Sequence, residues 1–98
     1  MKKHYSDHVA HCLKYYARYP RPGDEDSEIN KRKWEAVNVS LLDFTETERE
    51  IILSIYRKYD TLPDNVYEES MTRHIDQNQI WRLVERVEKR IAQERGLV

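Results

Sequence analysis

Glycine, proline and cysteine are scarce in this chain, and long apolar runs are missing. Two glycines and three prolines in 98 residues are too few for the many tight turns of a β-sandwich or barrel. The single cysteine cannot form an intrachain disulfide, so we expect a reducing compartment. No apolar run reaches the length of a membrane span and none follows the basic first residues, so we expect a cytoplasmic protein without a signal peptide.

What the chain does contain indicates one helical domain. Charged residues make up 36% of it, which alone would permit disorder. Seven tyrosines, two tryptophans and regularly spaced aliphatic residues supply apolar area that offsets the entropy lost on folding. We therefore predict a single all-α domain over residues 1–98, a compact bundle of about five helices.

Apolar residues at helical spacing place the first two helices. The first runs roughly from Tyr5 to Tyr19, within residues 1–22. The second starts at Ser27 or an acid just before it and ends near Asp43, within residues 24–44. Acids around this start suit the positive end of a helix dipole, so we assign them no function.

Residues 45–98 are predicted to form a unit of three further helices. The first of these begins at the capping box Thr45–Glu48, the second covers about residues 63–72, and the last runs from Gln77 to just before Gly96. The first is expected to lie centrally because an apolar face covers much of its surface. That face consists of Ile51, Ile52, Ile55, Tyr56 and Tyr59.

Charge is distributed unevenly although the net charge is only −1, which argues against a general polyanion binder. Residues 1–22 carry five basic side chains and one acid, and residues 73–98 carry six and four. Residues 34–50 instead carry one basic side chain and five acids. A DNA-binding protein can use the basic ends, and the acidic middle (residues 34–72) suits a basic partner.

The last predicted helix has an amide-rich start followed by spaced basic residues, on the side opposite its apolar stripe. Asn and Gln can pair with adenine and Arg with guanine, whereas Lys suits phosphate. The candidate DNA face consists of Gln77, Asn78, Gln79 and Arg82, assigned to bases, and Arg86, Lys89 and Arg73, assigned to phosphates. The alternative is a solvated helix face with ion pairs such as Glu85–Lys89.

The segment from Phe44 to Gly96 resembles region 4, the DNA-binding end of bacterial sigma factors, and small phage-type regulators similar to it. The turn at Thr72–Ile75 departs from that pattern because it looks longer and lacks the usual glycine. The whole chain is also similar to small uncharacterised proteins of phages and conjugative elements. The residues that carry the region 4 resemblance are Thr45-Glu46-Thr47-Glu48-Arg49-Glu50, Ile51, Ile52, Tyr56, Val66, Tyr67, Ile80, Val84, Val87 and Ile91.

The resemblance implies a C-terminal helix-turn-helix-like unit and a small DNA-binding transcriptional regulator of a bacterial mobile element. The fifth helix would read the major groove of double-stranded DNA. The alternative is a helical protein-interaction module that docks RNA polymerase or another regulator without binding DNA. A surface dominated by phosphate contacts and one dominated by protein contacts differ in their dependence on salt.

Other functional classes find little support in the sequence. His4, His8 and His11 share one side of the first helix, at a spacing that can bind Zn²⁺, but Cys12 points into the apolar stripe and no fourth ligand is evident. We therefore predict no metal and no cofactor. The tyrosines of this helix are expected to pack in the bundle, with base stacking or a homodimer seam as alternatives. No Gly-rich phosphate loop, HExxH or GxSxG motif occurs, so we expect no enzyme.

Overall fold

The computed structural model describes residues 4–19 and 28–98, and the regular structure within these ranges is helical. The helices are α1 (Ser6–Arg18), α2 (Glu28–Leu41), α3 (Glu46–Arg57), α4 (Leu62–Arg73) and α5 (Gln77–Glu94). The predicted all-α class with about five helices is confirmed. The predicted start of the second helix at Ser27 lies outside the described residues. Within the described ranges, every helix is too short or too polar to cross a membrane.

One apolar core joins all five helices. The expected apolar stripe of the last helix is buried, and burial of each such aliphatic side chain stabilises the fold by roughly 1.5–3 kcal/mol. The fully buried residues include Val9, Cys12 and Leu13 of α1, Val37 of α2, Ile52 and Ile55 of α3, Val66 of α4, and Val87 and Ile91 of α5.

Of the two tyrosines predicted on the apolar face of the third helix, only one is buried. Tyr56 is buried, but Tyr59 lies beyond the end of α3 and is 85% exposed, so its assignment to the apolar face was wrong. The ring of Tyr59 instead covers the guanidinium of Arg18, 4.0 Å from the ring centroid. The helix ends at Arg57, which removes Tyr59 from the helical repeat that the sequence suggested.

Local capping explains where α3 and α5 begin. The Thr45 hydroxyl accepts the Glu48 amide at 3.1 Å, and the Glu48 carboxylate accepts the Thr45 amide at 2.9 Å, so the predicted capping box is confirmed. At α5 the Asp76 carboxylate accepts the Asn78 amide at 2.7 Å. These bonds satisfy amides that would have no partner in the first helical turn.

The connection between α4 and α5 is only three residues long, His74–Asp76, because Thr72 and Arg73 belong to α4. The expectation of a longer turn at Thr72–Ile75 was therefore wrong. His74 adopts the left-handed conformation, with φ 56° and ψ 44°, a position that glycine usually fills. The Ile75 amide donates to the Ser70 carbonyl at 3.1 Å, and the Ser70 hydroxyl donates to the Ile75 carbonyl. The turn is therefore tight and held by its own hydrogen bonds.

Buried polar contacts attach α4 to α3. Glu69 is only 4% exposed, yet it accepts hydrogen bonds from Ser54 at 2.8 Å, from Lys58 at 3.4 Å and from Arg73. Burial alone would raise the pKa of Glu69, but these three donors outweigh it and lower the pKa. The Asn65 amide adds a bond to the Ile55 carbonyl at 2.8 Å. Together these bonds fix the helix that precedes the tight turn.

Candidate nucleic-acid interface

The start of α5 places four predicted base-contacting side chains at the protein surface. Gln77, Asn78, Gln79 and Arg82 are all exposed. The next turn of the same helix is anchored in the core by Ile80, which is buried. The sequence prediction that these residues form one accessible group therefore agrees with their positions, while their binding role stays a prediction.

Arg86 has a partner that the sequence did not reveal. Its Nη1 lies 3.1 Å from the Glu48 Oε2, and its guanidinium lies 5.3 Å from the centroid of the Phe44 ring. The Thr45 amide lowers the pKa of Glu48, burial opposes this, and the bond from Arg86 lowers it further. Sequence reasoning recognised Glu48 as a cap but missed its second role, because the two residues are 38 positions apart.

Arg73 is held by the buried Glu69 and lies at the α3–α4 contact. The sequence contained a signal for this ion pair, because Glu69 and Arg73 have the (i, i+4) spacing of a helical ion pair. Ser54 of α3 and Lys58, the residue that directly follows α3, have the same spacing, and both contact the carboxylate of Glu69. Among the three residues assigned to phosphates, Arg73 is therefore the one held most firmly by an ion pair within the protein.

Arg82 and Lys89 differ from the other two cations, because neither forms an ion pair within the described residues. Both side chains are exposed. The Glu85–Lys89 ion pair expected for a solvated helix face does not form within the described part of the chain, although Glu85 is exposed on the same side. The candidate DNA face thus contains two cations that form no ion pair within the described residues, and Glu85 lies beside them on α5.

A groove runs along one flank of α5, between its exposed start and the first turns of α3. Its volume is about 360 Å³. Its lining combines buried apolar residues with exposed polar and charged members of the candidate DNA face. The lining residues are Glu48, Ile51, Ile75, Gln79, Ile80, Arg82, Leu83 and Arg86.

A larger crevice of about 810 Å³ lies on the opposite flank of α5, with α1 and the start of α4 as its walls. Helices α1 and α4 both pack on α3 and α5 but make little contact with each other, which leaves this space open. Trp81 and Leu62 supply apolar lining. The Glu88 carboxylate at its side accepts hydrogen bonds from Ser6 at 2.9 Å and from Tyr56 at 3.4 Å.

The three histidines that the sequence placed on one side of the first helix are not gathered around a common point, and His4 lies before α1 begins. The ring of His4 lies 3.4 Å from the Leu97 carbonyl, and Nε2 of His8 lies 3.7 Å from the Cys12 sulfur. Burial lowers the pKa of His8. Within residues 4–19 and 28–98, no group of three His, Cys, Asp or Glu side chains has an arrangement that would hold a metal ion.

Comparison with known proteins identifies no relative of this chain. No protein-family model matches the chain, and no curated protein or solved structure is significantly similar to it.

Proposed function

We propose that this protein is a small DNA-binding transcriptional regulator whose helix α5 enters the major groove. The observation that carries the proposal is the tight three-residue turn between α4 and α5, followed by an exposed amide-rich helix start. Helix-turn-helix proteins join their two helices by turns of this length and contact bases with the first residues of the second helix.

The residues of the candidate DNA face divide into two roles. Gln77, Asn78, Gln79 and Arg82 contact base edges, where amides pair with adenine and guanidinium with guanine. Lys89 contacts phosphate directly, because it is exposed and forms no ion pair within the described residues. Arg86 and Arg73 contact phosphate only after they leave Glu48 and Glu69.

The setting of this activity comes from sequence resemblance. Similarity to small proteins of phages and conjugative elements supports a regulator of a bacterial mobile element, which would act in the cytoplasm. A regulator of this kind needs no cofactor, and no enzymatic step is part of the proposal.

A selection from random duplex DNA with the purified protein tests the proposal. We expect one enriched motif, and we expect Arg82→Ala and Asn78→Ala to lose preference at separate positions of that motif. Each good bidentate base contact discriminates by about 1–3 kcal/mol. Both side chains are exposed, so the urea midpoint of unfolding should stay unchanged.

Gln93→Ala is the matched control, because Gln93 is an exposed amide at the other end of α5. Its motif should equal that of the wild type. Unchanged preference in both Arg82→Ala and Asn78→Ala would reject the assignment of this face. A steep loss of affinity between 50 and 200 mM salt is expected if several phosphates are bound.

The crevice beside α1 favours a second candidate function, a protein-interaction module for RNA polymerase or another regulator. Its volume of about 810 Å³ and its Trp81 lining can receive an apolar side chain of a partner. Tyr67 and Met71 are exposed on α4 and offer further contact area. Absence of DNA binding even at low salt, with measurable binding of purified polymerase that Trp81→Ala abolishes, would favour this candidate.

A further inference from the structure

One carboxylate at the start of α3 serves two partners at once. Its Oε1 accepts the Thr45 amide at 2.9 Å and its Oε2 lies 3.1 Å from the Arg86 guanidinium. The first contact belongs to the capping box and the second crosses to α5. The acid is Glu48, and it lines the same groove as Gln79 and Arg82.

The two contacts differ in how easily a ligand can replace them. The Arg86 side chain is 59% exposed and the Glu48 side chain 26%, so water and ions reach the pair. Exposed ion pairs contribute little to stability because solvent screens them and ordering both side chains costs entropy. A phosphate can therefore take the guanidinium from Glu48 without disturbing the helix cap.

We infer that Glu48 occupies, on Arg86, the position that a DNA phosphate takes in the complex. The inference rests on the proposed function, because it requires α5 to lie against DNA. It makes Glu48 a determinant of affinity, since DNA must displace a carboxylate before it gains this contact. Phosphate contacts carry no sequence information, so the effect applies equally to every duplex.

The capping box allows the charge of Glu48 to be removed while the cap stays. Glutamine serves at this position of a capping box as glutamate does, so Glu48→Gln retains the bond to Thr45. Glu46→Gln is the matched control. Glu46 is an exposed acid in the same first turn of α3, and it forms no ion pair within the described residues.

Binding of one fixed random-sequence duplex is measured as a function of salt for four variants and the wild type. We expect Glu48→Gln to raise affinity at 50 mM salt about three- to tenfold, because DNA no longer has to displace a carboxylate from Arg86. Its slope of log K against log salt should stay close to that of the wild type, since both complexes contain the same number of phosphate contacts. Glu46→Gln should leave both the affinity and the slope close to the wild-type values. Arg86→Ala and the double variant Glu48→Gln/Arg86→Ala should share one shallower slope.

The outcomes distinguish failure of the Glu48–phosphate exchange from failure of DNA binding itself. If the wild type binds DNA and Glu48→Gln binds it with the same affinity as Glu46→Gln, the inference is overturned and DNA binding still stands. No binding by any variant, Glu48→Gln included, overturns both. Binding by Glu48→Gln alone supports both, because the inference expects that gain.

A measurement on the unmodified chain covers the case in which Glu48→Gln does not fold. The Arg86 side-chain Nε–H signal is followed by NMR as the same duplex is added. We expect the signal to shift when phosphate replaces the carboxylate. An unchanged Arg86 signal at saturating DNA overturns the inference even if other amides of α5 shift.

Discussion

Two arginines of the candidate DNA face are each held by a glutamate, but the two pairs differ in depth. Glu69 is 4% exposed and receives Arg73, Lys58 and Ser54, so it joins α3 to α4 from inside the fold. Glu48 lies at the surface and holds the largely exposed Arg86 beside a helix cap. The comparison shows that a charged pair near a binding face has a structural or an exchangeable role according to its burial.

The largest expected effect is the loss of stability when the buried glutamate of the Glu69–Arg73 pair is removed. Glu69→Ala removes the acceptor of two cations and one hydroxyl, and should lower the free energy of unfolding by about 1–3 kcal/mol. The loss of about 3–5 kcal/mol that can follow removal of one partner of a fully buried pair is not expected. Arg73 is 31% exposed and regains water, and Lys58 keeps its 3.1 Å contact with Glu68. Urea unfolding measures it, with the exposed Glu68→Ala as control. Equal losses in the two variants would contradict the structural role of Glu69.

The two glutamates should also differ in how much each contributes to the loss of stability in acid. The pKa values of Glu69 and Glu48 both lie below the ordinary 4.5, so each contributes stability that is present above about pH 4.5 and is lost as the pH falls through its folded value. Melting temperatures between pH 3 and 7 should fall in acid. Glu69→Gln should flatten this dependence more than Glu48→Gln, since it removes the more extensively bonded carboxylate. The reverse order would show that the surface pair dominates.

The turn that follows Arg73 offers a change that touches neither pair. His74 has φ 56°, and a left-handed backbone is costly for residues with a Cβ. His74→Gly should raise the free energy of unfolding by about 0.5–1 kcal/mol. Thr72→Gly, at an exposed site inside α4, should instead lower it by about 1 kcal/mol, and chemical denaturation measures both. A loss of stability in His74→Gly would mean that the His74 side chain stabilises the turn.

The smallest effect is expected at the surface pair itself. Arg86→Ala should change the free energy of unfolding by less than about 1 kcal/mol, because most exposed ion pairs contribute no more. The stacking of Arg86 over Phe44 adds to this loss within the same range. Calorimetric unfolding measures it. A loss as large as that of Glu69→Ala would make the Glu48–Arg86 pair structural, and would remove the distinction between the two glutamates.

Local signals let the sequence determine the helices. The capping box at Thr45, the cap at Asp76 and the apolar spacing of α5 lie within a few residues of the bonds that they form, so they could be read without the fold. Gly96, with φ 73°, ends α5 as expected from its position. The same local nature explains why the exposure of the amides at the start of α5 was predictable.

Only the tertiary structure decided which charges meet and where space remains. Glu48 reaches Arg86 across 38 residues and Ser54 reaches Glu69 across 15, and both contacts depend on how helices cross. Tyr59 does not belong to the predicted apolar face because α3 ends at Arg57. The crevice beside Trp81 exists because α1 and α4 pack on the same neighbours but make little contact with each other. Hydrogen bonds within one turn are fixed by adjacent residues, whereas packing angles arise from the joint burial of all five helices.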